Sequence, residues 1–183
     1  MIKRLLATLF PIVFMPYMIF AISLSTIQNN PSQYKRVFEN AAFTAYVETN
    51  SIESLRYSPP YYTLKSKLYV VSYSGNNILD YTIAIDYDYN YSLESMIKKI
   101  HKDYSDYSNK EKGRLLLQST LENSGMAYDS NEVHAWTLDG SDIGILPLPS
   151  SRTKCIPGSI FYEAGLYMFF KYYDRPFGIS TMK

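Results

Sequence analysis

The segment IDYDYNYS, residues 85–92, places Asp86, Asp88, Asn90 and Ser92 at every second position, the spacing of the first oxygen ligands in a D-x-D-x-N-G calcium loop. Such a loop also needs glycine at its sixth position for the sharp turn and a bidentate glutamate at its twelfth. Those positions hold Tyr91 and Ile97. A β-strand gives the same spacing for a simpler reason, because its side chains alternate between faces. Ile83, Ile85, Tyr87, Tyr89 and Tyr91 then share one face, and Thr82, Ala84, Asp86, Asp88 and Asn90 form a wet opposite side. On this reading Asp86 and Asp88 stand about 7 Å apart, a separation suited to acid and base roles in glycoside cleavage. Nothing in the sequence supplies the buried surroundings that would raise the pKa of either one.

Cys155 is the only cysteine, so no intrachain disulfide forms, and a cysteine nucleophile would have to draw on His134 and Asp139. No local signature supports that set. His134 lies beside Trp136 in EVHAWTL and reads as a structural strand residue, while His101 lies among helix lysines and reads as an exposed polar one. Two histidines and one cysteine without close spacing do not make a zinc site. Phosphate-cradling loops and serine elbows are absent from the sequence. No catalytic residue, cofactor or metal is therefore assigned. An envelope hydrolase using Asp86 and Asp88, or Cys155 with His134, is the alternative to a binding role.

Tyrosine is the compositional excess, with 19 in 183 residues and nine of them between Tyr57 and Tyr91. Cross-strand aromatic pairs would account for many, each stabilising a sheet by up to ~1 kcal/mol. Rigid, amphipathic tyrosine rings are also what contact surfaces use. Tyr57, Tyr61 and Tyr62 flank Pro59 and Pro60 in RYSPPYYT, a segment expected to form a rim loop or the start of an edge strand. These three are the expected contact residues, toward a protein or glycan.

The elements that would position them follow from period and punctuation. Tyr34–Phe38 and Phe43–Glu48 read as a hairpin. LKSKLYVVSY and ILDYTIAIDYDYN flank SGNN, whose Gly75 and Asn76 tolerate the positive φ of a tight turn. Ser92 caps a helix with Glu94 in its first turn, and Leu93, Met96, Ile97 and Ile100 form a stripe expected to face the sheet. DYSDYSNKEKG reads as a polar loop before a second helix at about Arg114–Asn123, with Gly125 as its stop signal. EVHAWTL and SDIGIL form a further hairpin around Asp139 and Gly140, with Trp136 buried. Ser159 caps a last helix running to about Tyr173. Phe161, Ala164, Gly165 and Met168 form one of its faces, and Tyr162, Leu166, Phe169 and Tyr173 a second apolar stripe. That leaves it deeply buried or paired with a second copy in a homodimer.

At the N-terminus, Lys3 and Arg4 precede an uncharged run from Leu5 to Ser25, with small residues at Ala21, Ser23 and Ser25. Residues 1–25 read as a signal peptide or an uncleaved anchor. Residues 26–183 read as one α+β domain in the periplasm or at the cell surface. Without Lys3 and Arg4 the chain has 16 basic against 17 acidic residues, which gives no basic field for nucleic acid.

The strand running into YVETNSI (Tyr46–Ile52), the alternating strand after it, and CIPGSIFYEAG (Cys155–Gly165) together resemble small exported bacterial proteins of the surface-adhesin protein E type. The matching positions are Glu48, Ser51, Ile52, Pro157, Gly158 and Ser159. Such proteins often carry paired cysteines, from which this chain departs. The resemblance implies an α+β sheet protein of the cell surface or periplasm with an adhesive role. Taken together, the sequence predicts a mainly antiparallel sheet of five or six strands with two or three helices packed on one face, serving as a non-enzymatic interaction module of the envelope.

Overall fold

A computed structural model describes residues 21–130, 132–148 and 151–178. The targeting reading of residues 1–20 lies outside them. The fold is α+β, with a mainly antiparallel sheet of nine strands and four helices among the described residues. That is the predicted class with more strands than expected.

The sheet is built on one long hairpin, β4 (Tyr61–Ser72) and β5 (Asn77–Asp88), paired over all twelve residues of each strand. Asn76 takes a positive φ in its turn and the Ser72 hydroxyl accepts from Gly75 N, so SGNN closes the hairpin as its residue types require. Each outer edge of this spine carries two shorter strands in succession. Along β4, β2 (Phe43–Glu48) pairs with Leu68–Ser72 and β3 (Glu53–Ser58) with Tyr61–Lys65. Along β5, β7 (Glu132–Thr137) pairs with Asn77–Tyr81 and β6 (Met126–Asp129) with Ala84–Tyr87. β1 (Tyr34–Glu39), β8 (Asp142–Pro147) and β9 (Thr153–Lys154) extend the sheet beyond β2, β7 and β6.

Alternation splits the spine into two faces, both used. On the first, Tyr62, Leu64, Leu68, Ile83, Ile85 and Tyr87 pack under α4 (Ile160–Tyr173), which contributes Ala164, Met168 and Phe169. Ser159 caps α4 as expected, its hydroxyl accepting from Tyr162 N. Gly165 permits the close approach. A Cβ there would come within 3.1 Å of Met126 Sδ and 3.2 Å of Ile85 Cδ1, and the Tyr87 hydroxyl donates to Gly165 O at 2.8 Å. On the second face Tyr34, Tyr46, Tyr69, Val71, Ile78 and the buried Trp136 pack against Ile22 and Ile27 from α1 (Leu24–Asn29) and the residues before it. The rest of this face carries ion pairs: Glu53 with Lys65, Lys67 with Asp80, and Arg152 with Asp86.

Two expectations about helices change. α2 (Leu93–Asp103) buries Met96 and Ile100 but leaves Leu93 and Ile97 exposed, because it packs on α3 and a neighbouring turn rather than flat on the sheet. α3 (Asn109–Glu122) starts within the segment read as a loop. A complete capping box starts it: the Ser108 hydroxyl accepts from Glu111 N, and the Glu111 carboxylate accepts from Ser108 N. Gly125, expected as a helix stop, instead holds a positive φ where a Cβ would lie 2.9 Å from Asp88 O; Asn123 caps the helix.

Candidate functional site

The register of β3 on β4 decides what the three expected contact tyrosines can do. Tyr57 pairs with Tyr62 and Ser58 with Tyr61, across a turn whose Pro59–Pro60 peptide is cis. Directly paired residues point to the same side of a sheet and sequence neighbours to opposite sides. Tyr57 and Tyr62 therefore share the α4 face, and Tyr61 projects from the other. Tyr57 is 66% exposed and Tyr61 43%, whereas Tyr62 is only 4% exposed. Tyr62 belongs to the core rather than to a contact surface, because Phe169 and Tyr173 of α4 pack against its ring, while Tyr57 on the outer strand β3 keeps most of its ring in solvent.

Tyr62 supports the exposed rings. Its ring lies 5.3 Å from Tyr57, 5.5 Å from Tyr173, 5.4 Å from Tyr89 and 5.7 Å from Phe169. Tyr173 in turn contacts Tyr57 at 6.0 Å and the exposed Tyr172 at 4.9 Å. The Arg175 guanidinium sits 5.8–6.0 Å from the rings of Tyr89, Phe169 and Tyr173 and donates to the Tyr62 hydroxyl at 3.5 Å. On the other side of the hairpin tip, Arg56 lies 5.5 Å from the Tyr61 ring, and Asn90 donates to the Tyr61 hydroxyl at 3.5 Å. The β3–β4 tip is thus a wedge with an exposed, braced tyrosine on each flank. Sequence reasoning missed the contribution of Tyr172 and Arg175, which reach the tip only because α4 ends there. The parity of Tyr61 and Tyr62 was available as soon as that segment was taken as a strand.

The acids of the opening segment have structural partners. Asp86 accepts from the Thr63 hydroxyl at 2.6 Å and from Arg152 Nη2 at 3.1 Å, with Arg56 Nη2 at 3.9 Å. Asp88 ends the strand: its carboxylate accepts from Asn90 N, and Tyr89–Tyr91 form a 3-10 turn. Tyr91 consequently leaves the face predicted for it and is exposed. Among the described residues no group of three or more His, Cys, Asp or Glu side chains converges as a metal site would.

Cys155 and His134 are not brought together. Cys155 is buried on the α4 side of the sheet, and burial pushes its thiol up to about 12, far from the thiolate a nucleophile needs. His134 pairs with Asp80 on the second face, stacks on Trp136 with ring centroids 4.1 Å apart, and contacts Asp142 Oδ1 at 2.7 Å. Asp139 accepts hydrogen bonds from the Thr137 hydroxyl and Ser141 N within the β7–β8 turn, which hold its carboxyl below the usual range. None of these residues lines the main apolar concavity found among the described residues. It is an open groove of ≈ 580 Å³ between β1, α2, α3 and α4, lined mainly by apolar side chains such as Leu93, Met96, Leu166, Phe170 and Phe177.

No protein-family model, curated protein or solved structure matches this chain. The resemblance to the surface-adhesin family is carried by its motifs alone.

Proposed function

We propose that this chain is an exported, non-enzymatic interaction protein of the cell envelope, adhesin-like in role, which grips a protein or glycan partner with the tip of its β3–β4 hairpin. The observation that carries the reading is the pair of exposed tyrosines, Tyr57 and Tyr61, held on opposite flanks of one tip, Tyr57 by the buried Tyr62 ring and Tyr61 by the Arg56 guanidinium and Asn90. A ring already held in place loses little conformational freedom on contact, so its apolar area and hydroxyl go directly into binding. The two-flank arrangement favours a partner surface that wraps the tip over a flat one. Asp86 neutralised by two arginines, and a buried Cys155 across the sheet from His134, leave both hydrolase alternatives without an assembled site.

The test is a photo-crosslinking amino acid placed at Tyr57, at Tyr61 and, as a control, at the exposed Leu117 of α3, in cells of the source organism. Adducts of defined mass at the first two positions and none at Leu117 are expected. A Tyr57→Ala/Tyr61→Ala double variant should abolish capture while costing only about 1–2 kcal/mol of stability, from the lost Tyr57–Tyr62 pair and the Arg56–Tyr61 contact, so that the chain stays folded. Labelling no stronger at 57 and 61 than at 117 defeats the assignment.

A further inference from the structure

A cavity between α2 and α3 adjoins the Tyr61 flank of the tip. It holds ≈ 270 Å³, a little under the ~300 Å³ at which sites for drug-sized ligands begin, so it takes one ring rather than several. Met96 and Ile100 are the buried, apolar part of its lining, and the exposed rings of Tyr91 and Tyr104 stand beside them, Tyr104 steadied by the Tyr107 ring at 5.1 Å. Asn90 also lines it and donates to the Tyr61 hydroxyl at 3.5 Å, which makes cavity and tip continuous.

The polar groups of this lining are left free by the fold. Lys99 and Asp103 stand one turn apart on α2, yet neither side chain makes a hydrogen bond or ion pair among the described residues. Asp103 is also the last residue of α2, where the helix dipole disfavours a negative charge. It therefore weakens its own helix and gains no contact within the fold. Asn123 accepts from Gly125 N at 3.0 Å through its carbonyl oxygen, which leaves its amide N–H groups to a ligand. Lys99 and Asn123 thus donate, Asp103 accepts, and the tyrosines offer apolar faces. A pyranose ring answers all of these at once, because its hydroxyls both donate and accept around the rim while its C–H face lies on an aromatic ring. A protein side chain carries its polar atoms at one end and would leave part of the lining desolvated and unpaired. Lys99 against Asp103 and Glu122 gives the cavity a net negative charge, which disfavours sulfated or uronate-bearing sugars. We infer that the partner is a neutral glycan, one hexose of which is seated between α2 and α3 while the adjoining sugar lies on Tyr61. The inference rests on the tip reading for the adjoining sugar, and on the cavity alone for the seated one.

The experiment presents full-length chain, in a detergent that carries no sugar, to immobilised neutral gluco-, manno- and galacto-oligosaccharides and to their sulfated counterparts. Binding to at least one neutral series is expected, with at least tenfold less to its sulfated form. Lys99→Ala/Asp103→Ala should lower neutral binding at least tenfold, while Asp103→Ala alone should keep or raise the thermal midpoint, so that the loss is not one of folding. Binding to no neutral oligosaccharide, or binding that the double variant leaves unchanged, overturns the inference. Protein adducts captured at positions 57 and 61 that persist in Lys99→Ala/Asp103→Ala overturn the glycan and leave the tip as the binding surface. Glycan binding lost in that variant but untouched by Tyr57→Ala/Tyr61→Ala supports the seated hexose and overturns the tip reading alone.

Discussion

Asp80 shows how a polar residue can be tolerated inside this sheet. Its side chain is largely buried beside Tyr69, and Lys67 Nζ donates to both carboxylate oxygens, at 3.0 and 3.1 Å. Burial raises its carboxyl above the ordinary value, while Lys67 and His134 pull it back only in part. The folded chain therefore binds this proton more tightly than the unfolded chain does. Asp80's contribution to stability is most favourable at low pH and falls as pH rises from about 4, the unfolded value, through the raised folded value. Asp80→Asn removes that term while leaving the half-exposed Lys67 ammonium free to hydrate. The difference in unfolding free energy between variant and wild type should shift in the variant's favour as pH rises from 3 to 7. Denaturant titrations at several pH values measure it, and parallel profiles would show that Asp80 does not titrate differently in the two states. Tyr62 turns on a single-residue step in the same way. Composition and neighbouring prolines suggested exposure, but a one-residue step along a strand reverses the face, and only a definite register tells which tyrosine is covered.

Elements were legible where one strong local signal agreed with the packing. α4 has a serine cap, a glycine at its closest approach and apolar residues around most of its circumference, and it occupies the span its sequence indicates. The β4–β5 hairpin has strict alternation and a turn that accepts positive φ. β6 and β9 contain only four and two residues, too few to display a period, and α1 is six residues long with its first two, Leu24 and Ser25, in the run read as a targeting segment. β3 was masked by the prolines that terminate it. α3 was shortened because Gly113 lies inside it, although Ser108 and Glu111 carry the capping-box spacing. That helix buries no residue fully and so depends on its cap more than the others do. Ser108→Ala should destabilise α3 by ~1 kcal/mol and speed exchange of its amide protons about fivefold. The global thermal midpoint should hardly move, since the main core does not include α3. A cooperative loss of the whole domain's stability would mean that α3 carries more of the fold than its burial indicates.

Over the whole molecule, the twelve-residue spine separates two ends. Strand rise places the Tyr61 end of β4 about 36 Å from its Ser72 end. Tyr57 and Tyr61 occupy the first, and the N-terminal residues pack near the second, where Trp136 pairs with Ile78. The spine therefore acts as a rigid spacer between the tyrosine tip and the packed residues around Ile22. This arrangement requires the residues around Ile22 to be part of the folded unit rather than a passive tether. Their loss has a calculable effect: burial of an isoleucine contributes ~2 kcal/mol and a serine cap ~1 kcal/mol. A chain beginning at Ala21 keeps both, and a chain beginning at Leu24 keeps neither, along with a new positive charge at the helix N-terminus, where the dipole disfavours it. The shorter chain should be less stable by roughly 3 kcal/mol in urea unfolding, with little change in the urea dependence because the rest of the sheet is retained. Equal midpoints for the two would show that residues 21–23 merely lie along the domain.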